Sequence, residues 1–226
     1  MTESVDILLI TVILLGLGTL GFSRISDCIM LMAAQGVLLG VLVVMVHMDE
    51  VSARLVGLAL LSILLKAFVF PWLLFRSMRE AGIQKEVEPF IGFTLSVVLG
   101  TLGLLMAFAL ARLLPLPQAA YSSMIVPVSL GLLFVGLLLL VSRRKAVSQV
   151  VGYLVLENGI FTFSLVLATE LPGLVEMGVL LDLFVAVFVM GITIYQINRE
   201  FDHIDTSRLV ELQDRPGKAG RRDVAG

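Results

Sequence analysis

Apolar residues gather along this chain in long stretches separated by short polar or Gly/Pro-bearing segments. The stretches cover roughly 5–22, 25–47, 52–75, 91–114, 121–141, 147–169 and 173–197. A helix crossing the hydrocarbon core of a bilayer needs about 20 mostly apolar residues, and each stretch is long enough. Backbone at membrane depth must satisfy its own hydrogen bonds, so the stretches are predicted to be helices. The marks of a membrane barrel, alternating faces and segments of about ten residues, are absent. The pattern therefore predicts an all-α, polytopic membrane helical bundle of seven transmembrane helices over residues 1–198. A polar tail, 199–226, comes after it; it carries Pro216 and Gly217 and is too short for a domain. It is read as a short helix that frays.

Composition narrows the class further. The chain is 58% hydrophobic, and only 15% of its residues are charged, against about 25% in an average soluble domain. So few charges cannot cover so much apolar surface in water, which excludes a soluble enzyme and a disordered protein. A net charge of −2 offers no basic patch for a nucleic acid. Cys28 is the one cysteine, so no internal disulfide and no cysteine-built iron–sulfur or zinc site can form.

Charge placement predicts the orientation. One set of alternating connections, with the tail, holds 13 basic residues, including Arg24, Arg76, Arg79, Lys85, Arg143, Arg144 and Lys145. The opposite set holds Arg54 and Arg112, and Lys66 lies within a span. Basic residues stay on the cytoplasmic side, which puts the N-terminus outside and the C-terminus inside. Glu3 and Asp6 precede the first span where a signal peptide would be positive, so that span is read as uncleaved.

Ionisable groups inside spans are the most informative residues. Lys66 in span 3, Glu157 in span 6 and Asp182 in span 7 each cost about 2.5–3.5 kcal/mol at a helix centre exposed to lipid. They are therefore expected to face the bundle interior, a neighbouring subunit or water. Gln35 in span 2 is a fourth polar side chain at similar depth. Tyr153, Glu157 and Ser164 share one helical face, flanked by Gln149 and Asn158. A short turn at Leu171-Pro172-Gly173 makes spans 6 and 7 antiparallel neighbours, which would bring Glu157 and Asp182 together. Two carboxylates in a dry site repel when both are ionised, so such a pair suits proton uptake and release. Glu157, Asp182 and Lys66 are the candidate proton-transfer residues, with Gln35, Tyr153, Asn158 and Gln149 in support. The plainer reading is that the acids only hold helices together, Lys66 being their counter-ion and Gln35 inter-helix glue.

Several weaker patterns read as packing. Gly16, Gly18 and Gly21 spell a dinucleotide fingerprint but lie inside a span. Gly36 and Gly40 form the small-residue spacing of close helix contacts. Pro71 and Pro127 are expected to interrupt their helices by freeing the carbonyls of Ala67 and Ser123. His47 and His203 stand alone and suggest no metal, and the ten methionines look like core.

The chain also reads as a weak duplication, 1–76 and 121–198, joined by the helix at 91–114. Ser23-Arg24 matches Ser142-Arg143-Arg144, Gln35-Gly36-Val37 matches Asn158-Gly159-Ile160, and Lys66 takes the place of Asp182. Four spans separate equivalent helices, so the copies run parallel. Glu157 aligns with Ala34 or with Gln35, and in either register the first copy lacks both acids.

The second copy resembles the small K-type subunit of respiratory complex I and the related C subunit of multi-subunit sodium/proton antiporters. Arg143-Arg144-Lys145, Glu157 within Gly152-Tyr153-Leu154-Val155-Leu156-Glu157-Asn158, and Asp182 stand where that family has a basic inside loop and two mid-membrane acids. The third-helix acid of that family is usually Glu, so Asp182 departs from it. The whole chain resembles the hydrogenase-4 component E family, membrane subunits of formate hydrogenlyase-type complexes. That resemblance implies the cell inner (plasma) membrane and a place beside antiporter-like and other membrane-arm subunits. It also implies peripheral hydrogenase and iron–sulfur subunits holding the [NiFe] and iron–sulfur centres, with no cofactor in this chain. The alternatives are an antiporter subunit with no redox partner and a structural scaffold. A retinal protein is excluded by Asp182 in the last span, where a lysine would be needed.

Overall fold

A computed structural model describes residues 2–46, 53–80, 90–114 and 122–167, together with Gly178, Leu180, residues 182–185, Val187, Met190 and Gly191. All regular structure among these residues is helical. The helices are α1 (Thr2–Gly21), α2 (Ile25–Val46), α3 (Ala53–Leu64), α4 (Phe70–Glu80), α5 (Phe93–Ala111), α6 (Ile125–Ser142) and α7 (Ala146–Leu167). A π turn, Leu65–Val69, joins α3 to α4, and the three form one continuous rod. Six of the described helical runs are long and apolar enough to cross a membrane, and they coincide with the first six predicted spans. Of the seventh, only the residues from Gly178 to Gly191 named above are described, and they are helical. The connection at Leu171–Gly173 and the tail from Arg199 lie outside the described residues.

Two antiparallel hairpins form the centre. α1 packs on α2, α6 packs on α7, and the pairs meet through α1 against α6 and α2 against α7. The α6–α7 contact is the tightest because glycines remove side chains from it. A methyl at Gly159 would lie 2.8 Å from the Leu133 nitrogen and 3.0 Å from the Ser129 carbonyl oxygen. Backbones that approach this closely gain dispersion contacts that lipid cannot match. The α3–α4 rod lies along α2, and α5 lies on α1 and α6. α5 turns a stripe of Ser96, Gly100, Gly103 and Ala107 inward and leaves Leu95, Val98, Leu102, Leu105 and Met106 exposed, as suits lipid contact.

The two prolines behave differently. Pro71 sits one residue into α4, directly after the π turn, in which the Phe70 N–H donates to the Leu65 carbonyl. The missing donor is absorbed by one wide turn rather than by a break. Pro127 does not interrupt a helix as the sequence suggested. α6 begins at Ile125, so Pro127 occupies the first turn, where N–H groups lack intrahelical partners anyway. Ser122 accepts from the Met124 N–H at 2.9 Å just before α6 and donates to Asp6 of α1, tying the two helix starts together. Gly16 of the apparent dinucleotide fingerprint packs against Leu132 and Gln35, as a packing glycine does.

Candidate functional site

Five of the polar side chains singled out in the spans meet in one cluster. Lys66, Glu157, Asn158, Asp182 and Gln35 are joined by Ser62 and Thr162, and none is more than 2% exposed. The π turn carries Lys66 and aims it across α2 toward α7. Gly36 makes this possible, because a methyl there would collide with the Lys66 Cβ. The lysine stem thus lies flat on the α2 backbone while its ammonium reaches the next helix.

The ammonium is held by oxygen atoms from two further elements. Lys66 Nζ donates to Glu157 Oε1 at 2.9 Å and to Asn158 Oδ1 at 3.0 Å, both on α7. Asp182 Oδ1 lies 3.1 Å from the same nitrogen. The Phe161 ring, one turn along α7 from Glu157, has its centroid 4.6 Å from Nζ. Both acids are therefore paired with one lysine nitrogen.

A second tier fixes these groups. Ser62, one turn before Lys66, donates to Asp182 Oδ2 at 2.8 Å. Asn158 Nδ2 donates to Gln35 Oε1 at 3.3 Å, and Gln35 Nε2 donates to the Val12 carbonyl of α1 at 2.8 Å. Thr162, buried beside the cluster, bonds back to the Asn158 backbone carbonyl of its own helix at 2.7 Å. The network runs from α1 through α2, α7 and the π turn to Asp182. Glu157 Oε2 is buried and has no hydrogen-bond partner among the described residues. An unpaired carboxylate oxygen in this setting is an open acceptor beside a charge.

Gln149, one of the predicted supporters, bonds elsewhere. It lies two turns from Glu157, at the start of α7, and donates instead to the Arg143 carbonyl at 3.0 Å. It satisfies a carbonyl left over at the end of α6. Tyr153 is half-buried against the apolar core on the same helix. Ser164 bonds back to the Phe161 carbonyl at 2.7 Å. Sequence reasoning missed Ser62, Thr162 and Phe161. Ser62 stands four residues before Lys66, and that helical spacing was the available signal.

A second buried charge lies at the turn between α6 and α7. Arg143, one of the basic residues that predict the orientation, is 1% exposed. Its Nη2 donates to the Leu20 carbonyl at the end of α1 at 2.7 Å, and its Cζ lies 5.1 Å from the Phe93 ring centroid. Burial pulls its pKa below the ordinary arginine value. A cation at a helix C-terminus is favourably placed against the helix dipole, so Arg143 acts here as a cap on α1.

Comparison with known proteins gives relatives across most of the chain. Over 186 residues, 81% of this chain and 84% of the relative, the sequence is 33% identical to uncharacterized protein Rv0085 of Mycobacterium tuberculosis. It is 28% identical over 148 residues to hydrogenase-4 component E of Escherichia coli K12, covering 66% of this chain and 68% of that protein. The component E of Shigella flexneri matches to the same extent. No protein-family profile and no solved structure matches the chain.

Proposed function

This chain belongs to one family with protein Rv0085 and is a homologue of hydrogenase-4 component E, and we propose that it is a non-redox membrane-arm subunit of an energy-converting hydrogenase that carries protons at the Lys66–Glu157–Asp182 cluster. Its complex would be of the formate hydrogenlyase type, in the cell inner membrane. Antiporter-like subunits would flank it, and the [NiFe] and iron–sulfur centres would sit in peripheral partners.

The carrying observation is the placement of one lysine between two buried acids. One ammonium and two carboxylates leave the cluster one negative charge in excess. That excess is costly in so deeply buried a cluster, and a single proton on either carboxyl removes it. The cluster thus alternates between a protonated, neutral state and an ionised state, with Glu157 Oε2 as an open acceptor. Moving the ammonium from one carboxylate toward the other would favour protonation of the one it leaves. Gln35, Asn158 and Ser62 hold the three groups in register while the proton is exchanged.

The test is proton translocation by the complete complex in liposomes, read with a pH-sensitive dye during hydrogenase turnover. Glu157→Gln and Asp182→Asn each keep the side-chain shape and remove the exchangeable proton. Each is expected to abolish dye acidification while the complex still assembles and retains nickel and iron. Undiminished translocation in both variants would overturn the reading.

A further inference from the structure

We propose that the Lys66 ammonium is a tethered cation filling an oxygen cage that would otherwise take a sodium ion, so that this subunit excludes sodium and works with protons alone. The inference deepens the proton-carrying reading and rests on it for the identity of the coupling ion.

The cage is built only of oxygen atoms. Glu157 Oε1, Asn158 Oδ1 and Asp182 Oδ1 stand 2.9, 3.0 and 3.1 Å from Lys66 Nζ. Hard cations prefer such carboxylate and amide oxygens, and a second tier that keeps them oriented. That tier is present in Ser62 on Asp182 and in Gln35 on Asn158. The buried Glu157 Oε2, which has no hydrogen-bond partner among the described residues, offers one oxygen more. Two formal negative charges in a protein interior demand a cation.

Lys66 meets that demand with a cation that cannot diffuse away. Its Cβ is pressed against Gly36 and its ammonium is backed by the Phe161 ring. The stem enters from the π turn Leu65–Val69, just before Pro71, so the ammonium is tethered at its backbone end. A sodium ion entering the cage would have to displace the ammonium and leave it buried without its acceptors, which costs more than the ion gains. A proton needs no such room, because it binds a carboxylate oxygen already beside the ammonium. The geometry therefore separates two ions of equal charge by size and by the presence of a competitor.

Radiosodium retention by the purified complete complex in mild detergent tests this without turnover. It can therefore fail while Glu157→Gln still abolishes translocation, or hold while it does not. The wild-type complex is expected to retain no more sodium at millimolar concentration than a Glu157→Gln/Asp182→Asn double variant. Lys66→Ala clears the ammonium and leaves room, and about one sodium ion per chain is then expected, as for a hard cation in an oxygen cage. Adding Asp182→Asn to Lys66→Ala should remove that ion. Lys66→Ser serves in place of Lys66→Ala where the alanine variant does not assemble. Sodium retained by the wild type and lost in the double variant would overturn the proposal. So would an assembled Lys66→Ala complex that retains no more sodium than the wild type.

Discussion

Lys66 and Glu157, far apart in sequence, form a direct ion pair, Nζ to Oε1 at 2.9 Å, with each side chain 1% exposed. A pair this deeply buried is not a generic source of stability, because two desolvated charges offset much of their own attraction. Removing one partner, by contrast, is costly, and the cost depends on which partner goes. Glu157 is left beside Asp182 with no cation if the lysine goes, whereas Lys66 retains Asp182 if the glutamate goes.

That asymmetry gives the first prediction. Lys66→Met keeps most of the volume and strands two carboxylates, so it should cost about 3–5 kcal/mol, the range for breaking a buried pair. Glu157→Gln leaves the lysine with Asp182 and a hydrogen-bonding amide, and it should cost less. The Lys66→Met/Glu157→Gln double variant should be more stable than Lys66→Met alone. Thermal unfolding of the four proteins in one detergent, treated as a double-mutant cycle, checks the coupling. Strictly additive costs would show that the two side chains do not act on each other.

The amide tier makes a separate prediction. Gln35 accepts from Asn158 and donates to the Val12 carbonyl. Gln35→Ala removes both bonds and leaves the Asn158 amide donor unpaired in the core, which should cost about 1–3 kcal/mol. Because Asn158 also holds the Lys66 ammonium, proton translocation should slow without being lost. Ser62→Ala removes one hydrogen bond to Asp182 and should likewise slow translocation. A melting curve and a dye assay on the same preparations separate these effects from simple misassembly.

Much of this was legible in the sequence, for a physical reason. Span lengths are set by bilayer thickness, so the predicted 25–47 and 147–169 fall on Ile25–Val46 and Ala146–Leu167, each followed to the last described residue. The cost of charge in an apolar medium likewise required Lys66, Glu157 and Asp182 to turn inward, and three of the elements meet there. What was not legible depends on tertiary contact. Ser62 and Thr162 are ordinary in spans, and only the position of Asp182 gives Ser62 a partner. The π turn accompanies the packing of Lys66 on Gly36, which the small-residue spacing of α2 indicated as close helix contact without naming the lysine. The burial of Arg143 was not legible, because a basic residue between two spans ordinarily sits in water or at lipid headgroups.

Gly36 gives the third prediction. A methyl there collides with the Lys66 Cβ, so Gly36→Ala must push the α3–α4 rod away from α2 or turn the lysine. Overpacking of this kind costs about 1–3 kcal/mol, and the ammonium should lose its fixed place among the three oxygens. Translocation is expected to fall sharply. Gly57→Ala is the control, since nothing lies within 4 Å of a methyl at that exposed helical position. It should be neutral or stabilising by about 0.4–1 kcal/mol, because alanine restricts the unfolded chain. Equal loss of translocation in both variants would show that the contact with Lys66 is not what matters.

Arg143 gives the last. Its guanidinium is the donor to the Leu20 carbonyl at the end of α1 and lies against Phe93 of α5, so one side chain ties the α6–α7 turn to two other helices. Arg143→Ala should therefore cost about 1–3 kcal/mol through a carbonyl left without its donor, with a further loss from the space vacated beside Phe93. Arg143→Met fills that space and removes a buried charge whose Nη1 has no hydrogen-bond partner among the described residues. It should sit between wild type and Arg143→Ala in melting temperature. Neither change should reorient the chain, since Arg144 and Lys145 keep the turn basic. Labelling of single cysteines placed in the tail of a Cys28→Ser chain, from intact cells and from lysed cells, would read the orientation alongside the melting curves. If Arg143 served only as a topological charge, both variants would melt like the wild type.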